Sequence, residues 1–327
     1  MSYIDLYMNR AKIALNNVAT ADYSKINGKT NVYMLGVPFD STTSYRPGTR
    51  FGPDAIREAL ANIEFNSILH EDNRTLEDVQ IVDVGNLKST TKPEAMVDML
   101  SKVMTELISK RVLVTVLGGE HLLTLATYRG TINGIGDSSS RSSNNIGYNK
   151  DTMLIVFDAH FDLRDEFNDC RLNHATYLRR IVEENGNDGS NVLHIGARGY
   201  SREELDYASK SRMSILPAKD IIFGSSNSIS NEVKKRVADT VSSYDNLYIS
   251  IDLDAIDPAF APGVGTPEPF GLNPLHILKI LESIAERDKR VVCFDVVELC
   301  PPYDNGITSV LAAKLILEII LMQIRDL

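Results

Sequence analysis

Cysteine is scarce in this 327-residue chain: Cys170, Cys293 and Cys300 are the only three, and none stands in CxxC spacing. That excludes a disulfide framework and a thiolate zinc knot, and it suits a reducing compartment, so a cytoplasmic location is expected. Runs of five or more Lys or Arg are absent and the formal charge is -10. A nucleic-acid polyanion would be repelled by such a surface, which excludes general nucleic-acid binding. The N-terminal MSYIDLYMNR lacks the apolar centre of a signal peptide. The late apolar run from Ser309 to Met322 is cut by Lys314 and Glu318, so it reads as an amphipathic C-terminal helix, and no membrane association is expected.

What is present is ordinary globular material, 43% hydrophobic and 24% charged, enough for a sizeable core. Short apolar runs alternate with longer amphipathic ones. VYML at 32–35, VQIVDV at 79–84, VLVTVL at 112–117, MLIVF at 153–157, VLHIG at 192–196, LYISIDL at 247–253 and VVCFDVV at 291–297 read as strands. Helical patterns cover Pro93 to Lys110, Ser230 to Ser243, Asn273 to Asp288 and Gly306 to Arg325. This rhythm predicts an α/β fold with a mainly parallel sheet of about eight strands, covered on both faces. The polar stretch at 134–150, GIGDSSSRSSNNIGYNK, has too few apolar groups to pack and is expected to be a surface loop. The rhythm continues on both sides of it, which favours a single catalytic domain over 1–327.

Ligands of parallel α/β sheets gather outside the carboxyl ends of the strands. VLVTVL runs into Gly118-Gly119-Glu120-His121, MLIVF into Asp158-Ala159-His160-Phe161-Asp162, and LYISI into Asp252-Leu253-Asp254. Residues two apart on an extended segment point to one side, so Asp158, His160 and Asp162 are expected to converge, as are Asp252 and Asp254. Four carboxylates and two imidazoles then share one place. Unneutralised, they would cost roughly several kcal/mol per buried ion, so two divalent cations are expected. Imidazole and carboxylate without thiolate suits Mn, Zn or Fe, and the excess of oxygen donors favours Mn. A lone histidine at a strand end is more often a hydrogen-bonded core residue; three such motifs at three strand ends reverse that reading. Gly118 and Gly119 let the chain turn closely before His121, and they lie in neither a GK[ST] nor a GxGxxG phosphate-binding context.

GGEH, FDAHFD and SIDLDAIDPAFAPGVGTPEP, together with GVPFDSTTSYRPGTRFGPDAIR at 36–57 and DVVELCPP at 295–302, resemble the ureohydrolase family of arginases and agmatinases. The resemblance implies a three-layer α/β/α fold, two Mn²⁺ ions with a bridging hydroxide, and hydrolysis of a guanidinium group to urea and an amine. It carries the metal ligands onto His121, Asp158, His160, Asp162, Asp252 and Asp254. Glu298 matches the glutamate that pairs with the guanidinium, and His174 the loop histidine that relays a proton. It also implies a homo-oligomer, trimer or hexamer. His70, His194 and His276 stand in no motif and read as structural, and Asp257 with Pro258 as shaping the loop after the ligand strand.

At the substrate's other end the chain departs from the arginases. Gly199 stands where they carry an aspartate for the α-amino group, and Arg164 where they carry an asparagine for the carboxylate. The run Asp162-Leu163-Arg164-Asp165-Glu166 resembles the agmatinase branch, so agmatine is the expected substrate, with Asp165 or Glu166 meeting its distal ammonium. Arg164 argues for the alternative, guanidinobutyrate, arginine or a related guanidino or formimino acid, because a guanidinium recognises carboxylates. Two-metal phosphate-ester cleavage would need a basic surround that the ligand strings lack apart from Arg164. A metabolite-binding protein without catalysis would be expected to have lost a ligand or Glu298, and all are present.

Overall fold

A computed structural model describes residues 2–11, 19–20, 31–69, 74–136, 151–223 and 229–323. Eight strands form the body of one sheet: β1 Asn31–Gly36, β2 Gln80–Leu87, β3 Leu113–Leu117, β4 Thr152–Phe157, β5 Val192–Ile195, β6 Ser214–Leu216, β7 Asn246–Asp252 and β8 Arg290–Val297. Their spatial order is β2-β1-β3-β8-β7-β4-β5-β6, every neighbouring pair parallel. The two-residue strands Met8–Asn9 and Ala19–Thr20 pair with β2, the first antiparallel, bringing the sheet to ten strands. The seven apolar runs are all strands. The three-residue β6 has no apolar run long enough to announce it.

Alternate residues along a strand feed opposite faces, and the core divides accordingly. Val32 and Met34 of β1 pack with the helices Gly52–Leu60, Asn231–Ser242, Pro274–Ala285 and Ile307–Met322. Tyr33 and Leu35 pack with Pro93–Ile108, Leu123–Ile135 and Tyr177–Glu184. The result is a three-layer α/β/α arrangement. All six residues of β4 are buried, because a parallel strand with helices on both sides has no wet face.

Two expectations need correction. The helix Ile307–Met322 is not amphipathic in the expected sense: Glu318 is 2% exposed and accepts from Ser67 Oγ at 2.6 Å and from the Ile68 N–H at 2.7 Å. A partner from a distant loop replaces the water that the carboxylate would otherwise need. The expected loop at 134–150 begins inside the helix Leu123–Ile135, and 137–150 lies outside the described residues. Among the described residues, no helix is long and apolar enough to cross a membrane.

Helix Gly52–Leu60 is tied to β2 by a buried ion pair. Arg57, 0% exposed, donates from Nε and Nη2 to Asp83 at 2.7 and 2.9 Å, from Nη1 to Asn86 Oδ1 at 2.6 Å, and from Nη2 to the Gly85 carbonyl at 3.1 Å. Replacing Arg57 by Met should lower the unfolding free energy by about 3–5 kcal/mol, since Asp83 is left charged and unpaired. Urea denaturation measures this, and the double variant Arg57→Met, Asp83→Leu should recover part of the loss.

Candidate metal centre

The sheet order places β3, β8, β7 and β4 side by side, so the residues after each of them emerge at one edge. His121 follows β3 after Gly118-Gly119. A Cβ at Gly119 would stand 2.0 Å from the Phe39 carbonyl oxygen, a closeness only glycine permits. The His121 N–H donates to Glu298 Oε1 at 2.7 Å. Glu298 follows β8 with a left-handed φ of 62°.

Period-two alternation is not what brings the β4 ligands together. The strand ends at Phe157, His160 bridges to Gly199, and Asp162 takes a φ of 52°, a conformation aspartate tolerates better than most residues. Asp252 ends β7, and its carboxylate accepts from the Asp254 N–H at 2.7 Å within the one-turn helix Leu253–Ala255. Turns rather than extended chain make the convergence.

All six predicted ligands nevertheless meet. His121 Nδ1 lies 3.1 Å from Asp158 Oδ2, 3.0 Å from Asp252 Oδ2 and 3.5 Å from Asp162 Oδ2. His160 Nδ1 lies 3.6 Å from Asp158 Oδ1 and 3.1 Å from Asp254 Oδ2. The two oxygens of Asp158 therefore face two different groups, one around each histidine.

Two buried atoms here, His121 Nδ1 and Asp158 Oδ2, make no hydrogen bond despite their close approach. Donor atoms packed without protons between them fit cations. His121, Asp158 and Asp162 form one group whose donors are close enough to hold a metal ion, and Asp158, His160 and Asp254 form another. Charge crowding leaves its mark on the acids and bases. Burial and the neighbouring Asp158 push Asp162 well above the usual carboxylate range, and burial with Asp254 does the same to Asp252. Burial alone would lower His121, but Asp158 and Asp162 outweigh it and hold the imidazole up at about 9.

A family model described as the Arginase family matches residues 30–322. The chain is 34% identical to an agmatinase of Pyrococcus horikoshii over 295 residues, 89% of this chain and 92% of that one. It is 31% identical to a guanidinobutyrase of Pseudomonas aeruginosa over 292 residues, 88% and 84% of the two chains. The solved agmatine ureohydrolase of Thermoplasma volcanium superposes with a TM-score of 0.76 at 32% identity, covering 91% of this chain and 92% of that one. The chain belongs to the arginase family. It is thus an arginase-family hydrolase, of a family that generally carries a dinuclear metal centre.

Around the centre of this arginase-family chain runs a second tier that no motif reading found. His121 Nε2 lies 3.0 Å from Ser250 Oγ, which donates to Asp295 Oδ1 at 2.6 Å. Asp295 is 0% exposed and also accepts from Thr124 and Tyr248. A proton on Nε2 satisfies Ser250 and leaves the Nδ1 lone pair for a cation. His194, read as structural, holds backbone: its Nε2 lies 2.7 Å from the His160 carbonyl. His276 caps the helix Pro274–Ala285 with Asn273, Asp257 accepts from the Ala259 and Gly271 N–H groups, and His70 lies outside the described residues. Ser250 and Asp295 sit on strands β7 and β8, where a polar residue in an apolar run was the available signal.

The ligand groups floor a cavity of about 370 Å³ whose wall includes Ser44, Arg164, His174, Glu204, Thr266, Glu268 and Glu298. His174 is held by the 36–57 segment: its N–H donates to Thr42 Oγ1 at 3.0 Å, and its ring lies 3.4 Å from Thr42 Oγ1 and 3.3 Å from Ser44 Oγ. Thr42 is in turn fixed by Glu120, which accepts its N–H at 2.8 Å and its hydroxyl at 2.5 Å. Burial is the main cause lowering His174 to about 4. Arg164 reaches the cavity, whereas Asp165 and Glu166 are not on its wall. Asp165 is occupied by Arg171 at 2.5 Å and Arg180 at 2.9 Å, with Arg179 at 3.8 Å.

Metal-stripped protein should gain thermal stability when Mn²⁺ is added. Asp158→Asn, which removes the carboxylate facing both groups, should largely abolish that gain in a melting-temperature titration. Asp295→Asn should weaken metal retention by about 10–100-fold, the usual effect of losing a partner behind a ligand, as measured by metal analysis after dialysis.

Proposed function

We propose that this chain hydrolyses agmatine to putrescine and urea, with two Mn²⁺ ions held by His121, Asp158, His160, Asp162, Asp252 and Asp254. The observation that carries the reading is the convergence of four buried carboxylates with His121 and His160, five of these six groups lining a cavity that also presents Glu298. Bound divalent cations would supply a water whose pKa is lowered toward about 7, hence a nucleophile at neutral pH.

The protein's own groups do the rest. Glu298 binds the guanidinium and orients its carbon, a contact made strong by opposite charge and planar geometry. Its Oε1 is fixed by the His121 N–H, so the carboxylate cannot swing away from the floor. Burial, followed by Glu120, pushes Glu298 up to about 8, and an arriving guanidinium favours its ionised form. His174, neutral at pH 7 because its folded value is about 4, carries a proton through its ring, accepting at one nitrogen and giving at the other to the departing amine. Thr42 and Ser44 fix the plane in which it does so.

Agmatine is favoured over guanidinobutyrate by the state of Arg164. Its Nε faces Glu204 at 3.7 Å and its guanidinium covers the Phe167 ring at 4.9 Å. Its charge is already answered, which leaves little to attract a substrate carboxylate. The names of relatives, agmatinase and guanidinobutyrase, keep both compounds in the test.

Steady-state urea release from agmatine, arginine and guanidinobutyrate should show a clear preference for agmatine; a preference for either acid-bearing compound would sink the assignment. Asp252→Asn should lose metal and urea release together. His174→Ala should keep both metal ions and lose about 10²–10⁴-fold in kcat, the range for a general acid–base group.

A further inference from the structure

The charged groups on the cavity wall are almost all committed. Glu204, 3% exposed, accepts from the Leu163 N–H at 3.2 Å and from Ser201 N and Oγ at 2.8 Å each, and it faces Arg164 at 3.7 Å. Asp254 accepts from Thr266 Oγ1 at 3.0 Å and from the Ala159 N–H at 3.2 Å. Glu298 takes the His121 N–H. Glu268 differs. It stands half-buried on the same wall, and its carboxylate forms no hydrogen bond or ion pair among the described residues.

Its position is fixed from behind. The Arg198 guanidinium donates to the Glu268 carbonyl through Nε at 3.2 Å and through Nη2 at 2.5 Å. It also donates to the Pro269, Ala255 and Asp254 carbonyls at 3.1, 3.1 and 2.8 Å. One cation thus ties the Glu268 backbone to that of Asp254, so the free carboxylate keeps a set offset from the floor of the cavity. Gly199 packs closely against it: a Cβ there would stand 3.2 Å from Glu268 Oε2 and 3.3 Å from His160 Nε2, so a side chain at this position would crowd the carboxylate. The carboxylate is therefore on the wall next to the cluster and is not among the groups able to hold a cation within it.

A half-buried carboxylate with no hydrogen-bond donor has lost part of its hydration without replacement, and an arriving donor with positive charge restores it. We infer that Glu268 is a specificity-determining residue: it receives the cationic group at the far end of the substrate and selects amine-tailed over carboxylate-tailed guanidino compounds. This rests on the function proposed above. With Arg164 facing Glu204 and the Arg198 N–H groups spent on backbone carbonyls, the Glu268 carboxylate keeps its acceptor oxygens for an ammonium and would repel a carboxylate. Asp165 and Glu166, the acids nearest in sequence to the ligand string, are off the wall and leave this role open.

The manganese-loaded enzyme and its Glu268→Gln variant should be compared on agmatine and on butylguanidine, which lacks the terminal amine. The ratio of agmatine KM to butylguanidine KM should rise about tenfold in the variant, the scale of a lost hydrogen bond to a charged group, with metal content retained. Glu268→Lys should in addition raise kcat/KM for guanidinobutyrate. An unmoved ratio overturns the inference, as does an equal rise for both compounds accompanied by metal loss, which would make Glu268 only a support for His160. A wild type that releases no urea from agmatine overturns the functional reading instead. In that case the dissociation constants of the same two compounds, measured by calorimetry on the same two proteins, still decide Glu268.

Discussion

Buried like charge is the constraint around which this molecule is arranged. Asp158, Asp162, Asp252 and Asp254 are 1%, 6%, 2% and 1% exposed, each within 3.5 Å of one of two imidazoles. Carboxylates so placed repel one another in a medium that screens poorly, and the cost falls on folding unless positive charge is present. The sheet can carry such a load because its edge is rigid. β3, β8, β7 and β4 are central, parallel and covered on both faces, so the strands cannot splay to separate the charges.

The surrounding hydrogen bonds follow from that load. Four of the six are held by neighbouring groups: His121 through Ser250 and Asp295, Asp158 by the His160 N–H, Asp252 by the Asp254 N–H, and Asp254 by Thr266 and the Ala159 N–H. Arg198 gathers carbonyl groups of Asp254, Ala255 and Glu268, and it places a fixed positive charge behind the acids. The same logic extends to the cavity wall. Glu120 and Thr42 hold His174, and Glu204 answers Arg164, so orientation there is settled before any substrate arrives. An arginase-family reaction needs this preorganisation, because a planar guanidinium carbon must be met from one direction.

Much of this was legible before any coordinates. Periodicity found seven of the eight strands in the body of the sheet, since a strand buried on both sides must be an apolar run, as MLIVF and LYISI are. It missed Ser214–Leu216, which is too short to show a period. Chemistry-bearing residues directly after such runs marked the edge where ligands gather. Asp158, His160 and Asp162 do converge, but not by alternation along an extended chain, because the chain leaves the strand at Phe157 and turns. Proximity in sequence to the ligand string also misled. Asp165 follows that string closely, yet it is spent on three arginines.

By itself the sequence determined the α/β class, the family resemblance and which acids and histidines stand at the strand ends, because each depends on local pattern: runs, strand ends and short motifs. The tertiary structure alone decided which charges are answered and which are free. Arg164 is met by Glu204, forty residues away, while Glu268, from a loop over a hundred residues beyond Asp158, comes to the same wall unpartnered. Partnership between distant residues is a property of the folded packing, and no spacing along the chain encodes it.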